Sequence, residues 1–252
     1  MSGPLMLVTG GSRGIGAAVA RLAAAEGWTV AVNYVRDETA ANGLVAAIES
    51  DGGSAFAVKG DVGSEADVLA VFRAVDRAGP LKALVNNAGI VDRVGRLDTF
   101  SAARIERMFR INVLGSFLCA REAVKRMSTA HGGSGGTIVN VSSAAAKFGG
   151  PDQYIDYASA KGAIDTMTVG LAKEVIREGV RVCAVRPGII ETEIHASGGQ
   201  PDRVAEMGPG LPMGRAGTAE EVARAILWLA SDAASYSSGA ILDVSGGRSI
   251  WP

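Results

Sequence analysis

The chain has 252 residues, of which 48% are apolar and 20% charged, a balance that suits one large globular core and excludes a disordered or fibrous chain. Lysine and arginine number 25 against 26 aspartates and glutamates, and the net charge of -1 leaves no basic footprint for nucleic acid. Two cysteines and two histidines are too few for a disulfide framework or a metal cluster, and no apolar window of about 18 residues suggests a membrane span.

In chain order, short apolar runs alternate with longer amphipathic ones. No basic run followed by a long apolar stretch opens the chain, so no signal peptide is read and a reducing, cytoplasmic setting is expected. Leu5–Val8 has the composition of a buried strand, and residues 17–26 have helical spacing. Between them lies Thr9-Gly10-Gly11-Ser12-Arg13-Gly14-Ile15-Gly16. Glycines there let the chain turn sharply and bring backbone amides against a pyrophosphate, with the helix N-terminus supplying free N–H groups. A dinucleotide site is therefore expected at Gly10, Ser12, Arg13, Gly14, Ile15 and Gly16.

Residues 29–32 form the next strand and 38–49 the next helix. Between them, where an NAD site places a carboxylate for the ribose 2′-hydroxyl, the chain reads Asn33-Tyr34-Val35-Arg36, with no acid before Asp37. Arg13 and Arg36 suit a 2′-phosphate, which assigns NADP(H) ahead of NAD(H). The competing reading makes both arginines solvated surface charges and Asp37 a helix cap.

The rhythm repeats with a strand at 55–58 and a helix at Glu65–Ala78, where Ser64 and Asp67 form a weak capping box. A strand at 83–85 precedes a long helix at 102–127, then a Gly/Ser-rich surface loop at 128–136 and a strand at 137–141. Ser143 follows that strand, at the sheet edge where open α/β folds bind ligands. In the next helix, 154–177, Tyr157 and Lys161 stand one turn apart on one face. A phenol with a pKa of about 10 is a poor acid or base at neutral pH, and a neighbouring ammonium is expected to draw it toward the working range. After a strand at 180–185, residues 188–217 are rich in Gly and Pro and poorly periodic; a substrate lid is expected there. A capping box, Thr218 with Glu221, opens the helix Ala219–Ala230, and residues 240–244 form the last strand. Strand runs without alternation are covered on both faces, so the expected fold is α/β, a Rossmann-type doubly wound seven-stranded parallel sheet with helices on both faces, in one domain over residues 1–252.

These residues resemble the short-chain dehydrogenase/reductase family in its form of about 250 residues, over essentially the whole chain. Thr9 to Gly16 matches the family's TGxxxGxG, and Asp61-Val62 looks like its adenine-contacting pair. Asn86-Asn87-Ala88-Gly89 matches its NNAG motif, and Asn112 stands where the family has its helix asparagine. Ser143 precedes Tyr157-Ala158-Ser159-Ala160-Lys161, the YxxxK signature, at a spacing one residue longer than in many relatives. Pro187-Gly188 with Ile190 and Thr192 looks like the nicotinamide-side loop, and Asp243-Val244-Ser245-Gly246-Gly247 resembles the family's last strand ending. The cofactor contacts so implied include Asn87, Ala88 and Gly89.

The resemblance implies a catalytic tetrad of Asn112, Ser143, Tyr157 and Lys161. Tyr157 exchanges a proton with the substrate oxygen, Lys161 lowers the tyrosine pKa and binds the nicotinamide ribose, Ser143 holds the substrate oxygen, and Asn112 anchors a water beside Lys161. Ser142 is adjacent, and counting along the strand puts Ser143 in register; Tyr154 has Ala158 rather than a lysine four residues on. The reaction implied is reduction of a ketone to a secondary alcohol by NADPH. A 3-oxoacyl-thioester reductase acting on an acyl carrier protein and a sugar-alcohol or glucose-type dehydrogenase are alternatives, and a non-catalytic dinucleotide-binding regulator is a remote one.

Among the remaining residues, His131 reads as solvated, Cys119 and Cys183 as packing, and Arg121, Lys125 and Arg126 as a solvated helix face. His195, Leu211, Met207 and Met213 lie in the expected lid, the last three lining an apolar pocket or covering the sheet edge. Apolar residues beyond one stripe of the two long helices, including Met167, Val169 and Ile176, together with the tail 248–252 carrying Ile250 and Trp251, point to a homotetramer, as in relatives. No nucleic-acid, membrane or metal partner is expected.

Overall fold

Leu5 and Leu7 pack into one hydrophobic layer and Met6 and Val8 into the other, as the period of two in a strand requires. The structure, a computed structural model, describes residues 3–250; the tail residues Trp251 and Pro252, and Met1 and Ser2 at the other end, lie outside the described residues. β1 (Leu5–Val8) is central in a seven-stranded sheet with β2 (Thr29–Tyr34), β3 (Ser54–Lys59), β4 (Leu81–Asn86), β5 (Gly136–Val141), β6 (Val180–Pro187) and β7 (Ile241–Val244). The order is β3-β2-β1-β4-β5-β6-β7, every pairing parallel, with Val8 in register with Val32 on one side and Val85 on the other. The order reverses between β1 and β4, so the loops after these strands diverge and leave a crevice.

Helices α1 (Gly14–Ala25), α2 (Glu38–Ser50) and α10 (Ala219–Ala230) cover one face, burying Val19, Leu44 and Ile226 against Met6 and Val8. On the other, α3 (Glu65–Ala78), α5 (Gly115–Met127) and α7 (Ile155–Val175) bury Phe72, Met127 and Val175 against Leu5 and Leu7. The capping box before α10 is formed in both directions. Before α3 only half of the expected box exists: Ser64 accepts from the Asp67 amide, while the Asp67 carboxylate turns back to accept from Asp61 N–H.

Several boundaries differ from the sequence reading. α1 begins at Gly14 rather than three residues later, because the glycine loop is itself the first turn. The single helix expected over 102–127 is two, α4 (Ala102–Phe109) and α5, joined by a π-helical turn at Arg110–Leu114. Asn112 sits in that turn, where its side-chain amide donates to the Met108 carbonyl one turn back and to Ile90 O across the chain, bonds that hold the extra residue in place. A short helix, α6 (Ala145–Phe148), fills the chain between Ser143 and α7. The 188–217 segment carries α8 (Ile194–Ser197) and α9 (Arg203–Met207), and its base is closed by a bridge between Ile190 and Gly217. Met167 is buried within the subunit, against expectation, whereas Val169 and Ile176 are exposed.

Candidate active site

The glycine loop is held in shape by side chains from three strands. The Thr9 hydroxyl accepts from the Asn87 and Ala88 amides, both at 3.0 Å, and the Asn87 side chain donates to the Thr9 and Gly10 carbonyls at 2.9 Å each. From β2, buried Asn33 accepts from Gly10 N–H and donates to Val58 O and Gly60 O. Asn33 therefore braces the loop. Gly14 is left-handed at φ 52°, and a Cβ there would lie 3.2 Å from the Thr192 methyl. A Cβ on Gly16 would come within 2.6 Å of both the Asn87 amide nitrogen and the Gly10 carbonyl.

This cradle fits a dinucleotide pyrophosphate. The first turn of α1 carries no acid, and the Arg13 side chain preceding it caps nothing, so the helix N-terminus presents its amides and partial positive charge to an anion. Ser12 and Ile15 are half-buried around the same turn. Arg13 and Arg36 are exposed, and Asp37 spends its carboxylate on the Ala40 amide as the cap of α2. Tyr34 is buried in the sheet. Asp61 is half-buried and accepts from Gly63 N–H, and Val62 is buried beside it.

At the carboxyl edge of β4, β5 and β6 lies a cavity of about 380 Å³ that reaches from Ile15, Asn87 and Gly89 to Ser143, Tyr157 and Lys161. Pro187, Gly188, Ile190 and Thr192 line it from the β6 side, beside the glycine loop. The two adjacent serines separate in role. Ser142 is buried and its hydroxyl donates to the Lys161 carbonyl at 3.1 Å; Ser143 faces the cavity and accepts from Ala145 N–H at 3.1 Å, keeping its own proton to donate.

Tyr157 and Lys161 are both buried, and their titration departs from the sequence reading. Burial pushes the Tyr157 phenol up to about 12, opposed by the Ser143 hydroxyl and assisted by Tyr154, while burial brings the Lys161 ammonium down to about 8 against the pull of Asp165. The lysine nitrogen lies 5.7 Å from the Tyr157 ring centroid and donates to Val141 O at 2.7 Å. Desolvation is the largest cause of both shifts, and the phenol is raised where a depression is expected. Asn112 is fully buried; its carbonyl oxygen accepts from Ile90 N–H at 3.1 Å, and a Cβ on Gly89 would be 2.7 Å from that oxygen and 3.5 Å from Lys161 Nζ. Asn112 therefore neighbours the lysine across Gly89.

Three lining residues carry no signal in the sequence reading. Gln153, Arg203 and Arg248 come from the α6–α7 connection, α9 and the tail, and no local motif links them. His195 also lines the cavity, its Nε2 3.1 Å from Ile190 O, whereas His131 is exposed. Met207, Leu211 and Met213 do not line it; Met213 lies beside Gly246 after β7 and is exposed. Cys119 and Cys183 are buried free thiols. Arg121, Lys125 and Arg126 do not form a merely solvated face, because all three pair with the buried Glu122 carboxylate.

Comparison with known proteins bears on the same residues. A family model described as enoyl-(acyl carrier protein) reductase matches residues 10–249. The chain is 54% identical over 245 residues to the uncharacterized oxidoreductase YgfF of Escherichia coli (strain K12), covering 97% of this chain and 99% of that one. It is 38% identical to 3beta-hydroxysteroid dehydrogenase 1 of Eggerthella lenta, over 100% of this chain and 96% of the relative. Among solved structures, a short-chain dehydrogenase from Burkholderia cenocepacia J2315 in complex with NADP superposes with a TM-score of 0.89 at 30% identity, over 98% of each chain.

Proposed function

The chain belongs to the short-chain dehydrogenase/reductase family of NAD(P)-dependent oxidoreductases, and from that premise we propose that it interconverts a ketone and a secondary alcohol with Tyr157 as general acid and base. The observation that carries the proposal is the convergence of Ser143, Tyr157 and Lys161 on one cavity that also reaches the glycine loop. When bound, the nicotinamide supplies or accepts the hydride at the carbonyl carbon.

In reduction, the Ser143 hydroxyl donates to the substrate oxygen and stabilises the charge that develops there. Tyr157 gives its proton to the same oxygen. A phenol raised to about 12 is well suited to remain protonated until needed, and the oxygen's growing basicity draws the proton off. Lys161, charged below about pH 8, stabilises the phenolate left behind and is placed to hold the nicotinamide ribose hydroxyls. Asn112 positions the chain beside Lys161 through Ile90 and anchors a water there. The excursion at 188–217 acts as the substrate lid: its bridged base sits at Ile190 and Gly217, and α8 packs over Val91 and Asp92. The whole described chain serves one sheet, as a single catalytic domain.

NADP(H) is the preferred cofactor in this reading. Exposed Arg13 and Arg36 are available to a 2′-phosphate and no carboxylate ends β2, a pattern in keeping with the NADP-bound relative. Exposed Leu114, Phe117, Val169 and Ile176 on α5, α7 and the turns adjoining them are the surface that other copies cover in a homotetramer acting in the cytoplasm. Light scattering at micromolar concentration giving a monomer mass contradicts that assembly.

A second reading, reduction of a 3-oxoacyl thioester, is favoured by the description of the matching family model. A panel of free ketones, sugars and 3-oxoacyl thioesters, followed by NADPH absorbance in both directions, separates the two. Turnover of at least one ketone that is lost in Tyr157→Phe supports the proposal. Dinucleotide binding with no turnover of any panel member contradicts it in favour of a regulator.

A further inference from the structure

Two guanidinium groups, those of Arg203 and Arg248, line the cavity that holds Ser143, Tyr157 and Lys161. Arg203, on α9, is only 5% exposed. It bonds neutral partners alone, Gln200 at 2.6 Å and Gln153 at 2.9 Å, and its Nε is buried with no hydrogen-bond partner. Its guanidinium lies 5.3 Å from the Tyr154 ring centroid, and that ring stands edge-on to Tyr157 at 5.7 Å. Arg248 is half-buried, lines the same cavity and lies over the Phe148 ring at 5.3 Å.

Charges buried to this degree are ordinarily paired. Among the described residues, no carboxylate pairs with either arginine. Asp92 is the acid that lines the cavity, and it is engaged by Arg107 at 3.6 Å and by Arg93 N–H. His195 lines the same space, and burial and then the Arg203 charge hold it below its usual value, which favours its neutral form. Tyr154 and Tyr157 are neutral there, both raised by burial. Both guanidinium groups thus bring positive charge to the cavity wall with no carboxylate partner among the described residues. Among the described residues, neither arginine bonds the glycine loop, whose open amides at the start of α1 are the groups placed to meet a pyrophosphate.

We infer that the substrate carries an anionic group, a carboxylate or phosphate, separated from the reacting carbonyl by a short apolar stretch, and that Arg203 and Arg248 bind it. Ile194, Ile189 and Phe148 line the cavity and suit the intervening carbons. Placement of the anion beyond Tyr154 excludes a 2-oxo acid, whose carboxylate would have to sit at Tyr157 itself. The inference rests on the reading of Tyr157 as the group at the reacting oxygen.

The test compares 4-oxopentanoate and 6-oxoheptanoate with their methyl esters, and dihydroxyacetone phosphate with dihydroxyacetone, in wild type, Arg203→Lys, Arg203→Met and Arg248→Met. A guanidinium–anion pair predicts kcat/KM higher by roughly 10- to 100-fold for the anion over its neutral counterpart. That ratio falls toward one in Arg203→Met and Arg248→Met and is partly kept in Arg203→Lys; which pair shows it distinguishes carboxylate from phosphate. Should Arg203→Met fail to fold, the half-buried Arg248 gives the same readout. Calorimetric binding of 6-oxoheptanoate, lost in the arginine variants, reports the anion site without turnover. If no ketone is turned over yet this binding remains arginine-dependent, the anion site stands and the reductase reading falls. A wild-type enzyme that treats acid and ester alike, or variants that lower both equally, overturns the inference.

Discussion

The two ends of the crevice are built from different materials. The dinucleotide end is made of backbone: a glycine turn, the open amides of α1, and Thr9, Asn33 and Asn87 spent on fixing that backbone. The end proposed for the substrate is made of side chains, among them Ser143, Gln153, Tyr157, Lys161, Arg203 and Arg248, drawn from five separate segments. A pyrophosphate is a constant shape that backbone amides can meet, whereas a substrate is met by chemistry that side chains alone supply. One end can thus stay fixed while the other is rebuilt.

The largest effect should come from the substrate end. Tyr157→Phe is expected to lower kcat by roughly 10²- to 10⁴-fold while NADPH affinity, read by fluorescence titration, changes little. Comparable loss of both would merge the two ends and break the comparison. The dinucleotide end has the reverse signature. Gly16→Ala puts a methyl group against the Asn87 amide and Gly10 O, each at 2.6 Å, so NADPH affinity and unfolding midpoint should both fall, with about 1–3 kcal/mol of stability lost. An unchanged Kd would show that the loop does not touch the dinucleotide.

A smaller change sharpens cofactor choice. Arg36→Ala should raise the KM for NADPH by roughly tenfold and leave that for NADH nearly unchanged, since the proposed partner of this side chain is a 2′-phosphate that NADH lacks. Equal changes for both cofactors remove the assignment to a 2′-phosphate.

The smallest effect is a pH dependence. Lys161 titrates near 8 in the folded chain against 10.5 as a model group, lowered by burial. Between those values the unfolded chain binds the extra proton, so this group makes stability rise with pH across that window. Urea midpoints measured from about pH 8 to about 10 should show a rise that Lys161→Met removes; a rise that persists in the variant places its origin elsewhere.

The same contrast explains what could be read before the fold was seen. The glycine loop, the NNAG turn and the Tyr157–Lys161 pair are local, each within a few residues, and the structure brings them to one crevice. The central strand β1 is legible because it is apolar without alternation, a pattern that two covered faces impose, whereas the edge strand β7 exposes Leu242 and carries Asp243. The π turn at Asn112 is not legible, since its hydrogen bonds to Ile90 are a tertiary contact that leaves no periodicity in 102–127. Gln153, Arg203 and Arg248 are illegible for the same reason: 95 residues of chain separate the first from the last, and the cavity brings them together. The direction of the Tyr157 shift is not legible in the sequence, because spacing reports a neighbour's charge but not how deeply the phenol is buried.

The most direct test of the two-ended crevice is a crystal structure of the chain with NADP bound. The account expects the pyrophosphate on the amides at the start of α1 and the nicotinamide beside Tyr157 and Ser143, leaving the Arg203 end open to a second ligand. A nicotinamide lodged at Arg203 and Arg248, or a pyrophosphate away from α1, would contradict it.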